Sequence, residues 1–309
     1  MAKTIVVLQI ITPILVAVFL GIMARKRKIL AAAEIEGMQR FVIKFCIPCL
    51  VFRSCLTADI TPQALSSMVM IPLIQILGLL WAYRARKKQY PYHNLPFLFC
   101  CKETGMMGIP LFMVLFGAEQ AYRVGVLDVA QAMIAFPMIG ILSADPGADP
   151  TPRAVIKQMA TSPLILLSIL GITLNLSGLW TAIEGIGVGG IVLDTVSFLS
   201  QPVSAVMLFC VGYNFELGKG NRSTVFRLTA THVGAALAAA LLVQAALFLV
   251  PSVDALTRWA ALLYFLLPTS YLAPGLGRNQ EDYTVASGMC SLTTVLCLAG
   301  FCVIAAITV

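Results

Sequence analysis

Apolar windows of about twenty residues, the length of helix that crosses the hydrocarbon core of a bilayer, recur ten times along the 309-residue chain. They fall near 4–24, 38–57, 64–83, 94–117, 121–142, 160–179, 191–215, 223–250, 256–277 and 283–308. Only 11% of the residues are charged, against about 25% in an average soluble protein. Such a chain cannot cover a water-facing surface, so it reads as an all-α integral membrane protein of ten transmembrane helices. The net charge of +7 then concerns loops and lipid rather than nucleic acid. Loops after odd-numbered windows hold 14 Lys and Arg, including Arg25–Lys28 and Arg84–Lys88, and the other side holds 3. The positive-inside rule places the odd-numbered loops in the cytoplasm and both termini outside a cell membrane. Arg25–Lys28 follow the first window with no small-residue cleavage site, so that window is expected to stay as a helix.

Two windows are interrupted. The fourth carries Lys102, Glu103, Gly105, Gly108 and Pro110. A buried charge at mid-bilayer costs about 2.5–3.5 kcal/mol on insertion scales, and proline removes a backbone donor and clashes with the preceding turn. The ninth carries Pro268 and Pro274 inside ALLYFLLPTSYLAPGL. One broken segment in each half of a chain is the pattern of a transporter's binding site.

The halves also repeat. Thr12-Pro-Ile-Leu-Val-Ala-Val-Phe-Leu-Gly-Ile22 reads like Ser162-Pro-Leu-Ile-Leu-Leu-Ser-Ile-Leu-Gly-Ile172 at an offset of 150, which pairs Gly21 with Gly171. Pro48 answers Pro202 at 154 and Pro110 answers Pro268 at 158. Five spans is an odd number, so the second repeat enters the bilayer inverted. The expected division is a first repeat over 1–142, a cytoplasmic linker over 143–159 and an inverted second repeat over 160–309.

Three segments carry a family resemblance. They are Phe41-Val-Ile-Lys-Phe-Cys-Ile-Pro-Cys-Leu-Val-Phe52, Gly105-Met-Met-Gly-Ile-Pro-Leu-Phe112 and Leu127-Asp-Val-Ala-Gln131. With the Pro268–Pro274 break they resemble the auxin efflux carrier family, which includes plant auxin exporters and bacterial organic-acid transporters. Gln131 stands where Asn is more usual, and Lys102-Glu103-Thr104-Gly105 replaces an Asn-Thr-Gly entry to the break. The resemblance implies that broken helices 4 and 9 cross near the midplane. It implies a scaffold from helices 1, 2, 6 and 7, often a homodimer interface, and a moving transport domain from helices 3–5 and 8–10.

Helix breaks expose backbone amides at the start of the second half and carbonyls at the end of the first. The amide ends attract anions and the carbonyl ends cations. The amide ends are expected near 108–111 and near 269–273, where three hydroxyls cluster, and the binding candidates there are Gly108, Ile109, Pro110, Pro268, Thr269, Ser270 and Tyr271. With Thr104, Gly105 and Lys44 these form the expected seat of a small organic anion; Lys44 could equally snorkel to the interface. Glu103, Asp128, Gln131 and Asn214 are the candidate coupling-ion or polar residues. Glu103 could bind a proton or Na⁺, or serve as a structural contact. Asp128 and Gln131 share a helix face at i and i+3, either as ligands or as a polar clasp on the break.

No cofactor is expected beyond a coupling proton or Na⁺. There is no phosphate-binding GxxxxGK[ST] loop and no catalytic grouping, so the chain reads as a non-enzyme. The nine cysteines all lie in apolar stretches, where cysteine is a small buried hydrophobe. Cys46-Ile-Pro-Cys49 lacks a redox fold around it, and His93 and His232 are too scattered for a metal site. The leading expectation is a secondary transporter of a small organic anion working by alternating access. Alternatives are a sodium-coupled symporter of the bile-acid type and a sensor that binds the anion without moving it.

Overall fold

The computed structural model describes residues 2–57, 62–143, 160–215, 222–248 and 253–308. Most of the expected linker therefore lies outside the described residues. The helices are α1 (Ala2–Lys26), α2 (Ala32–Phe41), α3 (Ile47–Thr57), α4 (Pro62–Lys88), α5 (Leu95–Cys100), α6 (Ile109–Phe116), α7 (Tyr122–Ser143), α8 (Pro163–Leu176), α9 (Leu179–Gly185), α10 (Gly189–Ser200), α11 (Val203–Asn214), α12 (Arg222–Phe248), α13 (Ala255–Leu266) and α14 (Gln280–Thr308). Among the described residues no β-strand occurs, only an isolated antiparallel bridge between Lys102 and Thr269.

Five described stretches are long and apolar enough to cross a membrane, and six if α8 and α9 count as one span. The sixth window ends close to the end of α8: Gly178, at φ +74°, turns the chain into α9, which is bent by 78° from α8.

Proline shapes two segments in the same way. The wide turns Val42–Cys46 and Thr104–Gly108 are π-helical, and each ends two residues before a proline, Pro48 or Pro110. The amide of Ile109 reaches back to the Thr104 carbonyl, and that of Ile47 to Val42. A widened turn relieves the clash between the proline ring and the carbonyl four residues earlier.

Packing pairs α1 with α11 and α3 with α8. Two glycines make the first contact close. A Cβ on Gly21 would lie 2.0 Å from the Phe209 carbonyl oxygen, and one on Gly212 would lie 1.9 Å from that of Val18. Gly171 plays the corresponding part on α8, where a Cβ would meet Cys55 Cβ at 2.8 Å and the Phe52 oxygen at 3.0 Å. The sequence-paired glycines Gly21 and Gly171 are thus both points of close helix approach. Elsewhere α4 packs on α5 and α7, and α12 on α13 and α14.

One ion pair ties α7 to α13. Arg123 meets Asp254 at 2.7 Å and also donates to Thr257. Asp254 caps α13 by accepting from the Thr257 amide at 3.1 Å. Partial burial pushes its carboxyl up, but the Thr257 hydrogen bonds and the Arg123 charge outweigh this and lower it. A lowered folded-state value means the contribution is complete above the ordinary carboxylate pKa, about 3.9. It is lost as pH falls through the folded value. Asp254→Ala should cost about 1 kcal/mol through the cap and the half-exposed pair. Detergent melting curves at pH 7 and pH 3.5 check this: the gap between variant and wild type should narrow at the acid end.

Candidate functional site

The interrupted fourth and ninth segments meet through their backbones. The chain leaves α5 extended at Cys101, and Lys102 forms an antiparallel bridge with Thr269 in the turn after α13. The Glu103 amide donates to the Pro268 carbonyl at 2.9 Å and the Ser270 amide to the Cys101 carbonyl at 3.1 Å. The rest of the break is closed by side chains. Gln131 accepts from the Lys102 amide at 2.7 Å and donates to the Lys102 carbonyl at 2.8 Å. It also accepts from the Tyr264 hydroxyl at 2.7 Å. Gln75 donates to the Cys100 carbonyl at 3.0 Å, and Thr269 Oγ1 to the Leu98 carbonyl at 2.8 Å. Buried backbone groups must find partners, and here most find them in polar side chains of α4, α7 and the opposing break.

Glu103 is the centre. It caps the helical run that starts at Thr104, accepting from the Met106 amide at 3.3 Å. Its other carboxylate oxygen accepts from the Tyr271 amide at 2.8 Å and the Ser270 hydroxyl at 3.3 Å. One tethered carboxylate therefore occupies donors from both breaks. It is 8% exposed and faces a cavity of about 550 Å³. Thr104 and Asp128 line the same cavity and are joined by a short hydrogen bond. Lys44, Ile47 and Ser162–Ile165 supply the opposite wall.

Several expected positions move. The fourth break lies at 101–103, upstream of Pro110, so its free amides belong to the Thr104 turn rather than to Gly108, Ile109 and Pro110. Those three are buried; Gly108 packs against Leu267 and Val124. The ninth segment has no second half-helix: Pro274 and Gly275 allow only the 3₁₀ turn Ala273–Leu276. Of the three clustered hydroxyls only Ser270 reaches Glu103. Thr269 holds the Leu98 carbonyl, and Tyr271 bonds Thr294 at 2.6 Å. Pro268 serves the bridge. Gly105, Ser270 and Gln131 line the cavity, whereas Asn214 is exposed at the end of α11 and does not. Lys102 turns away from Glu103 to His232 Nε2, 2.7 Å away. Gln75, Ser162, His232 and Tyr264 were not anticipated; the one available signal was a lone glutamine inside an apolar window. All nine cysteines are free thiols.

Breaks that pair through their backbones and a capped carboxylate beside a cavity form the candidate solute site. The sequence model of the family described as membrane transport protein matches residues 6–297. The chain belongs to this family, the auxin efflux carriers. It is similar to an uncharacterized transporter of the archaeon Methanothermobacter thermautotrophicus (strain Delta H), at 26% identity over 208 residues. That match covers 65% of this chain and 66% of the relative, just under two thirds of its length. A membrane transporter is thereby supported, and the cavity beside Glu103 is the candidate site.

Proposed function

We propose that this protein is a secondary transporter that carries a small organic anion across the cell membrane by alternating access, with Glu103 as the proton-coupled gatekeeper of the anion seat. The observation that carries this reading is the occupancy of the seat. Amide and hydroxyl donors of the two breaks converge where a solute carboxylate would be held, and the protein's own carboxylate fills the place. Protonated Glu103 binds those donors weakly, since charge-assisted hydrogen bonds are about twice as strong as neutral ones. A solute carboxylate then takes over the Tyr271 and Met106 amides, with Lys44 across the cavity as a countercharge. Proton and anion cross together. The donors on both Glu103 oxygens leave few lone pairs for Na⁺, which needs oxygen ligands, and their transfer to a solute carboxylate is what lets Glu103 take a proton. The carbonyls of Leu98, Cys100 and Cys101 are already taken.

Ten spans in two inverted repeats are part of the same reading. The packing of α1 on α11 and of α8 on α3 is what exchanging spans 1 with 6 and 2 with 7 requires, and Gly21 and Gly171 sit at the two contacts. The packing of α4 on α7 and α12 on α14 matches in the same way. The cavity lies between the scaffold expected from α3 and α8 and the transport domain expected from the breaks and α7. In the orientation given by loop charge it faces the cytoplasm.

The test is flux in proteoliposomes. Small mono- and dicarboxylates and indole-3-acetate are offered under imposed pH and Na⁺ gradients. Saturable uptake of one anion, accelerated by a proton gradient, is expected. Glu103→Gln should carry the anion at a rate that no longer follows pH. The same pH dependence in Glu103→Gln as in wild type sinks the coupling role, and binding without flux under every gradient sinks the carrier reading.

A further inference from the structure

A second recess, of about 350 Å³, adjoins the crossing, and Lys102 lines both it and the Glu103 cavity. It opens between α4 and α12. Trp81 and Phe99 form one wall, with ring centroids 4.6 Å apart, and the small residues Ala235 and Ala239 of α12 form the other. Leu77 and Leu242 at its edges are 67% and 69% exposed, so the mouth opens onto the apolar exterior where lipid lies. The floor is polar. Lys102 Nζ sits 2.7 Å from His232 Nε2, and the two residues are 6% and 3% exposed. Among the described residues no carboxylate pairs with this lysine. Gln75, 5% exposed, also lines the recess, and its Oε1 accepts no hydrogen bond.

A lysine with N–H groups to spare beyond His232 and an acceptor without a donor are costly in an apolar surround. One head group satisfies both: a carboxylic acid, whose carbonyl accepts from Lys102 and whose O–H donates to Gln75. That neutral form is also the one in which a weak acid dissolves in hydrocarbon. The volume falls at the lower end of small-molecule pockets, about 300–1,000 Å³, and the walls suit a flat or chain-like apolar body. We propose that the groove between α4 and α12 is a lipid-facing binding site for an apolar monocarboxylic acid, entered from the bilayer and read by Lys102 and Gln75. This site is independent of which solute crosses at Glu103.

The probe is 9,10-dibromostearic acid, whose bromines quench tryptophan. The protein has three tryptophans, so a variant carrying Trp180→Phe and Trp259→Phe reports Trp81 alone. Reconstituted in nanodiscs and titrated with the probe, it should show saturable quenching. Brominated phosphatidylcholine, with the same bromines and no free acid, should quench only in proportion to its mole fraction. Lys102→Gln should raise the half-saturation at least fivefold. Ala239→Leu, which fills the recess without touching the floor, should remove the saturable component, with elution as a single sharp peak confirming the fold of both variants. Quenching by the acid that is linear in mole fraction overturns the proposal. So does a half-saturation unchanged in both folded variants, which would leave Lys102 and His232 as a couple internal to the crossing.

Discussion

Gly212→Ala is expected to leave almost no well-folded protein, the largest loss from an added methyl group among the described glycines. The added Cβ would stand 1.9 Å from the Val18 carbonyl oxygen, 2.7 Å from its carbon and 2.8 Å from Val18 Cα. All three are backbone atoms of a helix, so no side chain can swing aside. Gly21→Ala meets the Phe209 oxygen at 2.0 Å and the Tyr213 nitrogen at 2.6 Å and should behave alike. Overpacking commonly costs about 1–3 kcal/mol when side chains can adjust; with backbone on both sides the cost should reach or exceed the top of that range. The same separation would break the contacts from Arg25 to the Tyr213 and Phe215 carbonyls at 3.4 and 3.3 Å, which complement the C-terminal end of α11. Gly171→Ala, at 2.8 Å from a side-chain carbon, should be milder. Gly234→Ala, with nothing within 4 Å, should match wild type or gain up to about 1 kcal/mol of helix propensity. Melting temperature in detergent and the monodisperse fraction on size exclusion rank the four. A Gly212→Ala protein that melts with the wild type would mean that α1 and α11 do not approach as described.

These glycines show how far a sequence of this kind can be read. Gly21 and Gly171 emerge as a pair from the offset alone, because a repeat must reuse its close contacts. The two interruptions are legible for a related reason: charges, glycines and prolines inside an apolar window have no place in a plain helix. Where each interruption falls is less legible. Proline suggests a break at Pro110, but a wide turn absorbs Pro110 into a helix, and the chain opens at 101–103, where Glu103 can cap the next turn. Symmetry misleads at the ninth segment, since two prolines and two glycines in the ten residues 268–277 leave room for one 3₁₀ turn and no half-helix. Asn214 shows a further limit. Window position fixes depth in a bilayer, but which way a side chain points depends on the packing of neighbouring helices.

Gln131→Leu should be the most damaging change at the crossing that leaves every charge in place. Position 131 shares a face of α7 with Asp128, and spacing alone leaves open whether its amide meets a solute or the fold. The partners decide it: both ends of the amide close on the Lys102 backbone, at 2.7 and 2.8 Å, with the Tyr264 hydroxyl as a third contact at 2.7 Å. Leucine is of similar size but strands the Lys102 amide, the Lys102 carbonyl and the O–H donor of Tyr264, whose oxygen still accepts from Gln75, in a buried place. Each stranded group costs about 1–3 kcal/mol, so a loss of roughly 3 kcal/mol or more is expected. Gln131→Glu keeps the acceptor for the Lys102 amide and for Tyr264 and loses only the donor to the Lys102 carbonyl, so it should fall between. Melting curves recorded without any solute separate this role from ligand binding. A clasp lowers stability in the empty protein, in the order wild type, Gln131→Glu, Gln131→Leu. A residue kept only for a solute would leave all three melting together and alter flux alone. Because the clasp fixes Lys102 and Glu103 on opposite sides of one short segment, its loss should release both at once. In Gln131→Glu, if folded protein survives, the pH dependence of flux should flatten although Glu103 itself is unchanged.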